Sequence, residues 1–218
     1  MSEYAVSTAW HCVSKNAVEH VPLNQISVVL PGGNQDLPYF KVTKVEKFGK
    51  DSTEWSYDND KVVIYLSEPI PFSETRQAAK IGDISMLGKY ELFAIGHGRT
   101  NIRTDSPTQP VVGKMNYLPK KVCGPPGFSI ATGKDVDDPP EEITPVISHG
   151  DSGGGLYAYV PADDPDYEEG YYFVGIAEKI CGIAEYNEYG NPIPDYLMGF
   201  QSVVHPEVQQ AIAEVIAK

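Results

Sequence analysis

Gly150-Asp151-Ser152-Gly153-Gly154 runs straight into Gly155-Leu156-Tyr157-Ala158-Tyr159-Val160, and the reading of that join decides the fold. A nucleophilic serine needs a sharp backbone turn that exposes its hydroxyl. It also needs nearby N–H groups for a developing oxyanion, and glycines permit both. Such a string is also an ordinary turn between strands. The residues that follow the turn read as a strand, so the serine stands between strands rather than at the start of a helix.

Outward from this join, short apolar or alternating runs recur with turn signals between them. Ile26 to Leu30 is closed by Pro31-Gly32-Gly33, Phe40 to Val45 alternates, and Val62 to Leu66 is apolar throughout. Leu92 to Ile95 stops at Gly96-His97-Gly98, and Tyr171 to Ala177 and Met198 to Val204 continue the series. Regular short strands of this kind predict an all-β sandwich or barrel. One helix is expected, at 206–218, where Val208, Ala211, Ile212, Val215 and Ile216 make an apolar stripe behind Pro206. Gly124 to Pro145 is the most loop-like region.

The 218 residues suffice for one large domain or two lobes that share a core. A net charge of −13 argues against nucleic acid, whose phosphates call for a Lys and Arg surplus. No window approaches the roughly 18 apolar residues of a membrane span, and the opposite face of the tail helix is not basic, so no membrane role is expected. The first residues show neither a basic start nor an apolar run, hence no signal peptide. Acidic residues cluster at Asp135 to Glu142 and Asp163 to Glu169, read as two solvated loops; no aspartate spacing matches a calcium loop. Cys12, Cys123 and Cys181 stand far apart without a CxxC pair, so neither a metal nor a cofactor is expected, and an odd count leaves at least one thiol free. The sequence carries no signature of an oligomeric state.

Two further segments can supply what a nucleophilic serine needs. His11 follows the small residues Ser7-Thr8-Ala9, and Asp60 directly precedes the apolar run Val62 to Leu66. Such an aspartate can be buried and aimed at an imidazole N–H, fixing its tautomer and supporting the imidazolium. Singly, each residue has a bland explanation. In the order His, Asp, Ser they form a constellation.

With these residues the chain resembles the chymotrypsin and trypsin family of two-barrel serine peptidases. Thr8-Ala9-Trp10-His11-Cys12 is similar to the family's T-A-A-H-C, Asp60 to Leu66 resembles D-I-A-L-L-x-L, and Gly150 to Gly154 is identical to G-D-S-G-G. Weaker echoes are Gly96-His97-Gly98 at the G-W-G corner, Val174-Gly175-Ile176 and the terminal helix. The resemblance implies two antiparallel six-stranded-type β-barrels, the first incomplete at its amino end, in one peptidase domain spanning 1–218. The first barrel would cover about 1–78, the second about 79–205, and the C-terminal α-helix 206–218. It implies Ser152 as nucleophile, His11 as base, Asp60 as its orienter, and the N–H groups of Gly150 and Ser152 as the oxyanion hole. Substrates would be proteins or peptides, and family habit implies secretion.

The chain also departs from the family. His11 comes early, two family strands being missing before it, so the amino end reads as cut short. Without an activation sequence no freed amine reaches Asp151, which in the family pairs with one. An unpaired buried carboxylate costs several kcal/mol, so the loop around it is expected to be disordered or rearranged. Cys12 matches a position whose disulfide partner lies upstream, and Ser148 stands where the family partner of Cys181 would be. Val146, six residues before Ser152, occupies the family's pocket-floor position, where trypsin-like enzymes carry an aspartate. Glu178-Lys179-Ile180 replaces the pocket-wall S-W-G, placing Glu178 and Ile180 on the substrate pocket. The resemblance therefore predicts a specificity other than trypsin's.

The same residues admit two other readings. The G-x-S-x-G elbow of α/β-hydrolases would take Asp195 and His205 as partners, but that elbow opens into a helix and no βαβ alternation is present. The second is a non-catalytic protease homologue acting as a protein-binding module. The altered pocket favours it; the presence of all three triad residues favours the enzyme.

Overall fold

A computed structural model describes residues 3–16, 19–30, 39–47, 60–74, 76–98, 110–119, 129–133, 147–181, 197–203 and 209. Among the described residues eleven strands follow in chain order: β1 (Ala5–Thr8), β2 (Ser27–Val28), β3 (Phe40–Lys47), β4 (Val62–Leu66), β5 (Lys80–Ile81), β6 (Glu91–Gly96), β7 (Val111–Met115), β8 (Ser129–Gly133), β9 (Gly155–Val160), β10 (Gly170–Cys181) and β11 (Leu197–Ser202). Single 3-10 turns at Trp10–Cys12, Leu23–Gln25 and Ile84–Met86 interrupt them. Among the described residues no helix is long and apolar enough to cross a membrane.

The strands form two curled sheets. The first has four antiparallel strands in the order β1-β4-β3-β2. The second runs β7-β6-β9-β10-β11-β8, and β5 lies against the start of β10. Its two ends meet: Leu118 N–H donates to Ala131 at 2.9 Å and Gly133 N–H to Asn116 at 3.1 Å, so the sheet curls round on itself. Two half-barrels match the expected architecture, the first with four strands among the described residues, in keeping with the incomplete first barrel; the one difference of detail is that the β5–β10 pairing is parallel.

Strand β4 explains how the sheets share a core. Val62, Ile64 and Leu66 pack with Trp10, Val13, Phe40, Val42 and Ile70 into the smaller core. Val63, on the opposite pleat, joins Ala5 and Ala9 in the larger core with Leu156, Val174, Ile176 and Phe200 of the second sheet. A strand buried on both faces reads as a continuous apolar run, which is how Val62 to Leu66 looks in the sequence. Ala5 and Ala9 are small enough to let the sheets approach closely there.

Some expectations need correction. β8 lies within the stretch read as loop: Ser-Ile-Ala-Thr-Gly has little strand character, but β11 on one side and Tyr117 on the other hold it, with Thr132 fully buried. The loop Asp163 to Glu169 is only partly solvated. The Asp164 carboxylate is nearly buried, accepts a 2.6 Å hydrogen bond from Tyr90 Oη, and takes the N–H groups of Asp166 and Tyr167 on its other oxygen. Tyr90 and Lys89 thereby pin this loop to the second sheet, and the Tyr90 hydroxyl is the main cause holding the Asp164 carboxyl down to about 2. The acidic stretch Asp135 to Glu142 lies outside the described residues. So does the tail helix apart from Gln209, whose Nε2 donates to Gly82 O at 2.8 Å.

Candidate active site

The path from sequence to site starts at β1 and β4. Thr8 pairs with Val62, so the residues that follow Thr8 and precede Val62 emerge side by side. Ala9 leads into the 3-10 turn Trp10–Cys12, which Trp10 anchors by burying its ring in the smaller core. Trp10 N–H donates to Asp60 O at 3.3 Å, and Val13 N–H closes the turn on Trp10 O. His11 is thereby carried to Asp60, which is 4% exposed.

Both Asp60 carboxylate oxygens hold His11. The His11 backbone N–H donates to Oδ1 at 2.7 Å, and Nδ1 lies 2.5 Å from Oδ2. A carboxylate only accepts, so Nδ1 carries the hydrogen, and Nε2 of the neutral ring is left with its lone pair. The Asp60 hydrogen bond raises the His11 pKa from 6.5 to about 10; the Cys12 side chain adds to the rise and burial opposes it.

The serine arrives from the second sheet. Gly150 and Gly153 adopt φ of 100° and 82°, conformations that side-chain-bearing residues rarely adopt. Asp151 N–H bonds to Ser148 O at 3.0 Å and Gly154 N–H to Asp151 O at 2.9 Å, folding the segment into successive turns. Strand β10 then clamps it: Gly153 N–H donates to Ala177 O, and Ala177 N–H to Gly154 O, both at 2.8 Å. Ser152 stands exposed on this turn.

Two contacts join the halves. A Cβ on Gly153 would strike the Thr8 hydroxyl, so the turn rests on the end of β1. Cys12 Sγ lies 3.5 Å from Ser152 O, which sets the residue next to His11 against the serine's own backbone. The turn that carries His11 and the turn that carries Ser152 therefore lie against each other where the two sheets face each other. The thiol contact was not read from sequence, where Cys12 figured only as a half-cystine; here it is free and exposed.

Asp151 is not unpaired, contrary to expectation. Its Oδ1 accepts Gly98 N–H at 2.6 Å and its Oδ2 accepts Ser148 N–H at 2.7 Å. The loop around it is a defined set of turns.

The expected pocket residues fare unequally. Val146 lies outside the described residues, as do Cys123, Asp195 and His205. Glu178 is buried, 7% exposed, at a bulge where β10 shifts register against β11 between Ala177 and Lys179. Ile180 sits on β10 opposite Met198, and Cys181 opposite Leu197. Among the described residues no group of His, Cys, Asp and Glu is placed to hold a metal ion.

The family model described as Trypsin matches residues 1–196. No curated protein matches the chain.

Proposed function

This chain belongs to the trypsin family, and from that membership we propose that it is a serine endopeptidase with His11, Asp60 and Ser152 as its catalytic residues. The observation that carries the proposal is the double hydrogen bond of His11 to Asp60 beside a glycine-shaped turn that exposes Ser152. In this reading the two sheets are the lobes of one domain, dividing near 78, between β4 and β5.

The proposed chemistry is acyl transfer through the serine. Ser152 Oγ attacks the scissile carbonyl carbon while His11 Nε2 takes the hydroxyl proton, its Nδ1–H remaining on Asp60. The carboxylate supports the imidazolium that forms. The N–H groups of Gly150 and Ser152 receive the oxyanion; one such donor is typically worth about 10²–10³ in rate. The imidazolium then protonates the leaving amine, and water repeats the sequence on the acyl-enzyme. No cofactor is required. Substrates are proteins or peptides, and since members of this family are often secreted, the enzyme is assigned outside the cell.

A fluorophosphonate probe tests the proposal. Labelling at Ser152, lost in Ser152→Ala, is expected. A folded chain that refuses the probe would overturn the enzyme reading in favour of a protein-binding homologue.

A further inference from the structure

We propose that Cys12 is a positioning residue: its thiol holds the Ser152–Gly153 peptide from the first sheet, so that nucleophile and base keep their register across the two sheets. The catalytic consequence rests on the peptidase reading, whereas the contact is tested apart from it.

Cys12 belongs to the same 3-10 turn as His11. Its N–H donates to Ala9 O at 3.2 Å, and the buried Trp10 ring anchors the turn. From this fixed base Sγ reaches Ser152 O at 3.5 Å. A carbonyl oxygen only accepts, so the thiol donates, and Cys12 is a free cysteine able to do so. Among the described residues no other hydrogen bond joins residues 9–12 to residues 148–154.

The accepting carbonyl stands at a sensitive place. Ser152 C=O and Gly153 N–H belong to one planar peptide. Gly153 N–H donates to Ala177 O on β10 at 2.8 Å, and Ser152 O accepts from Cys12. The second sheet therefore holds one side of the plane and the first sheet the other. Fixing both sides sets the tilt of the plane, and with it the direction in which the Ser152 side chain leaves the turn. Without the thiol the plane is held from β10 alone and can rock about that bond. The Cys12 side chain also interacts with the His11 ring, where it adds to the rise in the imidazole pKa. One side chain thus touches both the base and the backbone of the nucleophile.

A thiol is a weak donor, and its bonds are worth less than those of an amide. The glycine turn and β10 already build the site, so the thiol refines it, and the expected effect is several-fold rather than thousandfold.

The test uses the full chain. Cys12→Ala should lower kcat about threefold to tenfold with KM within about twofold, as loss of one weak bond that orients the nucleophile demands. Cys12→Ser keeps a donor and should recover most of that loss. An alanine variant as fast as the native chain, a serine variant no better than alanine, or a loss confined to KM would each overturn the positioning role. Should the alanine variant not fold, methyl methanethiosulfonate caps the native thiol instead. The Cys12 sulfur displaces methanesulfinate, its proton passes to the buffer, and a methyl disulfide without a donor remains. The capped chain should show the same kcat-weighted loss, and treated Cys12→Ser should not. A capped chain of unchanged kcat, or an equal loss in treated Cys12→Ser, would overturn the role. Raman spectroscopy reads the contact itself. The S–H band present in the native chain and missing from Cys12→Ser should lie below the frequency of an unbonded thiol, since donation weakens the S–H bond. A Cys12 band at the unbonded frequency, or no band because the sulfur is oxidised, would overturn the contact whatever the enzyme does. A native chain that the fluorophosphonate probe does not label would overturn the peptidase reading, and the catalytic consequence with it, even where the Raman band supports the contact.

Discussion

Thr8 and Gly153 are in contact across the two sheets: the threonine hydroxyl occupies the space that a Cβ on the glycine would need. Gly153 also holds a φ of 82°. Gly153→Ala should therefore cost about 1–2 kcal/mol for the backbone alone, and more once Thr8 is pushed aside. For a chain of this size that is a fall in Tm of roughly 2–8 °C. Thermal unfolding checks it, and an unchanged Tm would show that the turn does not rest on β1. Activity should fall further than stability, because the displaced residue adjoins Ser152.

His11 and Ser152 are expected to act as one unit. Ser152→Ala and His11→Ala should each remove nearly all hydrolysis, and the double variant should be scarcely slower than either. Asp60→Asn should also be severe, since an amide can present a donor to Nδ1 and favour the wrong tautomer. Single-turnover rates on a peptide ester decide the matter. Additive losses in the double variant would dissolve the proposed unit.

The pH dependence follows from the hold of Asp60 on His11. Its base form takes the serine proton, so kcat/KM should rise with pH, and the inflection should lie above the unperturbed ~6.5 because the folded value is raised to about 10. Stability runs the opposite way. A folded pKa above the unfolded one contributes fully below about 6.5 and fades as pH climbs through about 10. Asp60→Asn should remove that slope. A rate profile flat from pH 5 to 9, or one with its inflection below 6.5, would rule out His11 as the base.

How far the molecule was legible depends on what each residue's surroundings demand. Val62 to Leu66 and Gly155 to Val160 were found with their ends correct, because burial on both faces or a glycine turn marks them directly. β8 escaped notice because Ser129 to Gly133 becomes a strand through its neighbours β11 and Tyr117, not through its own propensity. The His11–Asp60 pair could be anticipated from residue types and order. The partners of Asp151 could not, since backbone amides have no letter in a sequence; the glycines at 96 and 98 were the only trace. Asp164 shows the same limit: its acidic run suggests solvent, while Tyr90, far away in the chain, supplies the hydroxyl that holds it.

Specificity is the prediction on which residue identity and structure bear together. With Val146 at the pocket-floor position of the family pattern, no carboxylate stands there to meet a Lys or Arg side chain. Burying such a cation unpaired is expensive, so it should be rejected. Glu178 is the one described carboxylate that could restore a basic preference, but it is buried at the β10 bulge and its side chain already interacts within the fold. Meeting a substrate would require it to leave that environment. Small or medium apolar side chains should therefore be favoured before the scissile bond. The surplus of acid, 30 Asp and Glu against 17 Lys and Arg, can still attract basic groups elsewhere on a substrate, an effect that should fade with added salt. A peptide-library digest at low and high ionic strength checks both statements. Cleavage mainly after Lys or Arg that survives high salt would mean a carboxylate lines the pocket after all, and Glu178→Gln would then identify or clear Glu178 as its source.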